Sequence, residues 1–252
     1  MRGISGLLTR HGVILAVAAV AASAAGGGAA LALTTSPPSH VVSMSTAGRT
    51  SAALKITAGT PVLEISVGKL GGTLLRVSTP DDAPVRPVLS GSDLILLSLT
   101  GAGPASGSGH SQGSGYAVKV VLNSAVTWSL DLAGGTQYTE ADLRGGKVGG
   151  IAVTAGSDVL DVSLPKPAGT LPFLLAGGAS QFLLSLPGGV PAQVTVGGGA
   201  SFVSVDDQNL TGVAGGTVLT PPGWATATSR FDIDATSGFS RLTVSRWYPA
   251  GS

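Results

Sequence analysis

Three observations predict an all-β fold: short runs in which apolar and polar residues alternate, glycines that punctuate those runs, and a strand-like phrase that returns at a nearly constant spacing. The expected architecture is a β-solenoid of short strands with a repeat of about 21 residues, preceded by one N-terminal transmembrane or signal helix. A β-sandwich is the alternative, since it too is built from regularly spaced short strands. Register favours the solenoid, because a sandwich does not need copies at a fixed offset.

The repeat is read directly from the chain. GSDVLDVSLP at 156–165 and GASQFLLSLP at 178–187 lie 22 residues apart, so Leu160, Val162 and Leu164 fall on Phe182, Leu184 and Leu186. A further shift of 21 brings Val203 and Val205 onto Phe182 and Leu184. GFSRLTVSR at 238–246 is another copy, with Leu242 and Val244, and GTLLRVSTP at 72–80 is a weaker one. Additional strands are expected at Thr127–Leu132, Gly150–Val153 and Gln193–Val196. One such strand cannot bury its apolar face alone. Copies stacked about 4.8 Å apart in parallel register share a core and pair their backbone groups.

Between the repeats, GAGPASGSGHSQGSG at 101–115 reads as a flexible Gly/Ser-rich loop. It interrupts Asp93–Leu99 and Tyr116–Leu122, which read as neighbouring strands. The expected layout is a cytoplasmic tail at 1–11, a transmembrane helix or signal peptide at 12–33 and a linker at 34–40. An N-terminal β region at 41–100, the loop, a β-repeat domain at 116–248 and a tail at 249–252 follow. Trp247 and Tyr248 are expected to cap the open end of the core.

Gly12 to Leu33 carries no charge and follows Arg2, Arg10 and His11. That arrangement keeps the N-terminus inside and sends everything after Leu33 outside. About 20 apolar residues suffice for a span, whereas Val13–Val20 with Ala22-Ser23-Ala24 suits a cleaved signal. Export is common to both, and the location expected is the cell membrane with the C-terminal domain outside, or secretion after cleavage. Pro37 and Pro38 stop any helix from continuing into the linker.

Composition excludes several function classes. Charged residues make up 11% of the chain, with no basic run that could neutralise a row of phosphates, so no nucleic-acid partner is expected. Cysteine is absent, which removes disulfides, thiolate metal sites and a cysteine nucleophile. The histidines are His11, His40 and His110, too dispersed for a metal cluster.

Catalytic machinery is equally hard to find. Gly109-His110-Ser111-Gln112-Gly113 matches the G-x-S-x-G elbow, but no histidine follows Ser111 and no helix is expected after it. Asp206-Asp207 and Asp232 with Asp234 read as turn and solvated positions rather than a calcium site. Asp161 is expected to face outward beside Leu183 and Ser204, so no ladder of carboxylates forms above it. Gly197–Gly199 and Gly215-Gly216 precede no helix and read as corners, not phosphate cradles. No catalytic residue, metal or cofactor is therefore expected. Trp224, after Pro221-Pro222-Gly223, is the one speculative ligand-binding residue, as an exposed ring for stacking on a sugar.

GGASQF at 177–182, LPGGVPAQVTV at 186–196, GVAGGTV at 212–218 and RFDID at 230–234 resemble the bacterial β-strand-repeat adhesin-head domains, related to the toast-rack and cell-wall-active antibiotic response families. The likeness covers 120–250 well and 41–100 loosely, and rests on turns and register. It implies a cell-surface or envelope protein. The expected function is a non-enzymatic, envelope-anchored, adhesin-like module that meets the cell wall or a membrane protein. The alternatives are a regulatory ectodomain in envelope-stress signalling and an exported carbohydrate-binding module.

Overall fold

The computed structural model describes residues 39–101 and 115–249. In chain order the first strands are β1 (Val41–Ser45), β2 (Ser51–Ile56), β3 (Thr60–Gly68), β4 (Thr73–Ser78), β5 (Val85–Ser90), β6 (Leu94–Gly101) and β7 (Ala117–Asn123). The central ones are β8 (Thr127–Leu132), β9 (Thr136–Asp142), β10 (Lys147–Val153), β11 (Ser157–Ser163), β12 (Thr170–Leu175) and β13 (Ala179–Pro187). The last are β14 (Ala192–Val196), β15 (Ala200–Val205), β16 (Gln208–Val213), β17 (Thr217–Leu219), β18 (Arg230–Ala235) and β19 (Phe239–Trp247). Among the described residues the one helical element is the short 3-10 turn Trp224–Thr226. The expected strands at 127–132, 150–153 and 193–196 are β8, the end of β10 and most of β14.

These strands form two mixed sheets. One runs β1-β4-β7-β3-β9-β11-β13-β19-β15-β16, the other β17-β14-β18-β12-β10-β8-β2-β6-β5. A single apolar core lies between them, with Leu54, Leu130, Ile151 and Phe173 from one sheet and Leu63, Leu160, Phe182 and Leu242 from the other. Residues 41–100 and 116–248 contribute to the same core. Phe173 and Phe182 meet across it with ring centroids 5.1 Å apart, a tilted pair of the kind that adds about 0.5–1.5 kcal/mol beyond area burial.

The repeat appears as parallel pairing at matched shifts in both sheets. Leu130 pairs with Ile151 while Thr139 pairs with Leu160, a shift of 21 in each. Ile151 pairs with Phe173 while Leu160 pairs with Phe182, a shift of 22. Nine residues separate the paired inner positions within each unit, as in Leu54/Leu63, Leu130/Thr139, Phe173/Phe182 and Ile233/Leu242. Each unit is therefore one strand per sheet joined by a corner. At Gly134 and Gly177 a Cβ would run into the carbonyls of Ala58 and Ala155 in the preceding layer. Only glycine lets the backbones approach so closely there.

Four expectations need correction. Asp93–Leu99 and Tyr116–Leu122 do not lie side by side: β6 belongs to one sheet and β7 to the other. Ile95 and Val118 occupy the positions of Leu54 and Leu63 in their layer, and residues 102–114 lie outside the described residues. Residues 72–80 are not a copy of the parallel phrase, because β4 pairs antiparallel with β1 and β7. Val203 and Val205 do not sit on Phe182 and Leu184. Instead β19 lies between, so that Leu242 pairs with both Phe182 and Val203. The last strand is consequently not an end cap, and the indole N–H of Trp247 donates to the Leu164 carbonyl at 3.0 Å.

Both ends of the parallel stack close with antiparallel strands, β1-β4 and β5 at one end, β16 and β17 at the other. Pro87 within β5 and the three-residue length of β17 blunt two of these edges. Among the described residues no buried side-chain nitrogen or oxygen lacks a partner. The buried hydroxyl row is an example: Thr136 bonds Thr139 at 2.7 Å and donates to Ser157 at 2.9 Å, which donates to the Val159 carbonyl.

Candidate functional site

Two outer features carry polar chemistry, and register creates both. The first is a row of side chains across the larger sheet. Lys119, Glu64, Glu140 and Asp161 are consecutive cross-strand partners on β7, β3, β9 and β11, and Leu183 follows on β13. This corrects the expectation that Asp161 has no acidic neighbours: Glu140 lies one 21-residue shift before it, and Glu64 reaches the row through the pairing of β3 with β9. Lys119 meets Glu64 at 3.0 Å, an exposed ion pair worth little on its own. Partial burial pushes the Asp161 carboxyl up. Burial, followed by the fields of Glu140, Asp161 and Glu64, pushes the Tyr138 phenol up. Among the described residues no group of three His, Cys, Asp or Glu is placed to hold a metal ion.

The second feature is a shallow, open cleft of about 460 Å³. Its walls come from four separated stretches of chain: the turn after β13 with Gly189 and Val190, Asp206 after β15, Pro222 and Gly223 beside the 3-10 turn, and Arg246 with Tyr248 at the end of β19. They meet because β19 is seated between β13 and β15. Arg246 Nε and Nη2 donate to the two oxygens of Asp206 at 2.6 and 2.8 Å, and Nη1 donates to the Val190 carbonyl at 2.8 Å. The Arg246 guanidinium holds the Asp206 carboxyl below its ordinary value. Asp206 itself adopts φ 51, a left-handed turn conformation that Asp tolerates better than most residues. Tyr248 is 69% exposed.

Trp224, the residue singled out for sugar stacking, is half-buried. Its indole N–H donates to the Phe231 carbonyl at 2.8 Å, and the Arg230 guanidinium lies 4.7 Å from its ring centroid. Arg230 in turn donates to the Ala225 carbonyl and the Thr170 hydroxyl, so Trp224 anchors the 221–230 connection. Trp128 is buried with its N–H on the Asn123 carbonyl. His40 bonds the Thr79 hydroxyl at 2.9 Å. His11, His110 and Ser111, together with the apolar segment 12–33, lie outside the described residues. Among the described residues no helix is long and apolar enough to cross a membrane.

Sequence reasoning did not reach the cleft. Its signal would have been Asp206 and Arg246, but nothing in their spacing brings them together. Tyr248, expected as a cap, lies on the cleft wall.

Comparison with known proteins gives a fold. Over 82% of this chain and 100% of its own, a solved structure described as "a putative cell adhesion protein", from Clostridium sporogenes, superposes with a TM-score of 0.61 at 16% identity. A "putative adhesin" from Bacteroides fragilis aligns over 82% of this chain and 98% of its own at 11% identity, with a TM-score of 0.26 that carries no weight here. No family model matches the sequence, and no curated protein matches it. The first likeness shows a shared all-β architecture.

Proposed function

We propose that this chain is a non-enzymatic, adhesin-like surface module, a short β-solenoid held at the envelope by residues 12–33 and displayed outside for contact with cell wall or a membrane-protein partner. The observation that carries the reading is the superposition on the Clostridium sporogenes structure, which spans that whole chain. The uncharged segment Gly12–Leu33 behind Arg2 and Arg10 supports the anchoring. The absence of catalytic pairs from the sequence fits a module whose work is contact rather than turnover.

The test is fractionation of C-terminally tagged protein in a bacterial host, with proteolysis of intact cells and the intact mass of the mature chain. A membrane-bound product that retains 1–33 and loses its tag to external protease supports the anchored module. A soluble product beginning near Ala25 points to the secreted form. Tagged protein that stays in the cytosol and resists external protease sinks the surface reading.

A further inference from the structure

The cleft at the end of β19 has the chemistry of a site for one class of ligand. We propose that it binds a small neutral saccharide, with Tyr248 as the stacking wall and the Asp206–Arg246 pair as the hydroxyl-reading group. This deepens the surface-module reading by naming what such a module grips.

Three observations converge on it. First, the depression is shallow and open, but its volume of about 460 Å³ is enough for one or two sugar rings laid along the surface, within the range of about 300–1,000 Å³ of small-molecule sites. Second, aromatic residues are only 4% of this chain, yet Tyr248 on the cleft wall leaves 69% of its surface in solvent. One face of the ring lies against the backbone at Gly188. Pro187 pairs with Trp247, and the next residue, Gly188, donates its N–H to the Trp247 carbonyl. The Tyr248 ring then occupies the space where a side chain on Gly188 would stand. A ring packed on one side leaves its other face for a ligand to stack on.

Third, the charges decide the ligand class. Asp206 and Arg246 are the charged residues among the described walls, and they neutralise each other. An anion would have to draw Arg246 away from Asp206, and a cation would have to do the reverse. A guanidinium has five N–H groups and a carboxylate about four acceptor positions. Here three N–H groups and two acceptor positions are engaged. Unused donor and acceptor positions therefore remain on an uncharged unit, of which the Asp206 carboxylate (38% exposed) is more open to solvent than the Arg246 side chain (16%). Neighbouring hydroxyls, each of which donates and accepts, satisfy that pattern without breaking the pair.

The experiment is titration calorimetry of the full chain, in detergent where it fractionates with membrane, against cellobiose, lactose, mannobiose and chitobiose. At least one disaccharide should bind. Tyr248→Ala should weaken it at least about tenfold, and Tyr248→Phe should retain it. Gly188→Val, which displaces the ring and leaves the ion pair in place, should also weaken it. Circular dichroism and thermal melts establish that each variant is folded. Failure of all four sugars to bind overturns the proposal. So does binding that survives Tyr248→Ala but is lost in Trp224→Phe, or binding of a proline-rich peptide in place of every sugar. Surface display without sugar binding would sink this site alone, whereas sugar binding by a cytosolic protein would sink only the surface reading.

Discussion

Individual carboxylates in this protein are pulled in opposite directions by their surroundings. Asp161 is raised by partial burial on the outer face, beside Glu140 and in the same row as Glu64. Its folded form prefers the proton, so the stability it contributes is greatest in acid and is lost as pH rises through its folded pKa. Asp206 and Asp142 are lowered, chiefly by hydrogen bonds from Arg246 and Arg144. Their stability is present above the unfolded carboxylate pKa and is lost as pH falls through the folded one. Asp161→Asn should therefore raise the denaturant midpoint near neutral pH and leave it nearly unchanged at about pH 3, where the parent carboxyl is protonated. Asp206→Asn should lower the midpoint near neutral pH and matter less in acid. Midpoints measured for parent and variants at both pH values check this. A less stable Asp161→Asn chain at neutral pH would mean that the ionised carboxylate is better served than its surroundings imply.

At the scale of the strand, alternation sets which side chains are inside. Leu184 on β13 is 1% exposed and packs in the row with Val162 and Val244. Ser185, the next residue, faces out beside Ser163 and Ser245. Leu184→Asp should cost several kcal/mol, because a charge without a partner enters the core. Ser185→Asp should stay within about 0.5 kcal/mol of the parent. Urea denaturation of both variants measures the contrast, and equal tolerance would refute the register. This much was legible from residues alone, since period-two alternation and the 21–22 spacing are local or nearly local. Strand order was not. The phrases at 178–187, 199–206 and 238–246 carry the same alternating apolar pattern, so any of them can sit beside any other without loss of burial. Nothing local states that β19 enters between β13 and β15. The cleft depends on that long-range order, whereas the carboxylate row depends on β3 lying between β7 and β9, with Glu140 one 21-residue shift before Asp161. The antiparallel β4 was misread for a related reason: direction of pairing leaves no mark on alternation.

For the molecule as a whole, the decisive fact is that the last two strands are interior. β18 pairs with both β12 and β14, and β19 with both β13 and β15. Phe231, Ile233, Leu242 and Val244 are buried in the core that all the layers share. From β8/β9 onward the chain completes each layer in order through β13, goes on to β14 and β15, and only then returns to fill the gap. A chain ending after Ser229 would lack two interior strands, leaving β12 and β14, and β13 and β15, without their shared neighbours. It would expose the inner faces of both sheets and strand edges that the native fold pairs. By contrast, β1 pairs only along β4 at the edge of its sheet and contributes half-buried and exposed residues. Truncation after Ser229 is therefore expected to abolish cooperative unfolding and leave a protease-sensitive chain, while deletion of Val41–Ser45 should lower stability and keep a single transition. Limited proteolysis and urea denaturation followed by circular dichroism distinguish the two. A truncated chain that unfolds in one sharp transition would mean that β14 and β15 can close onto β12 and β13 directly, in the simple sequential order that the spacing of the repeats suggests.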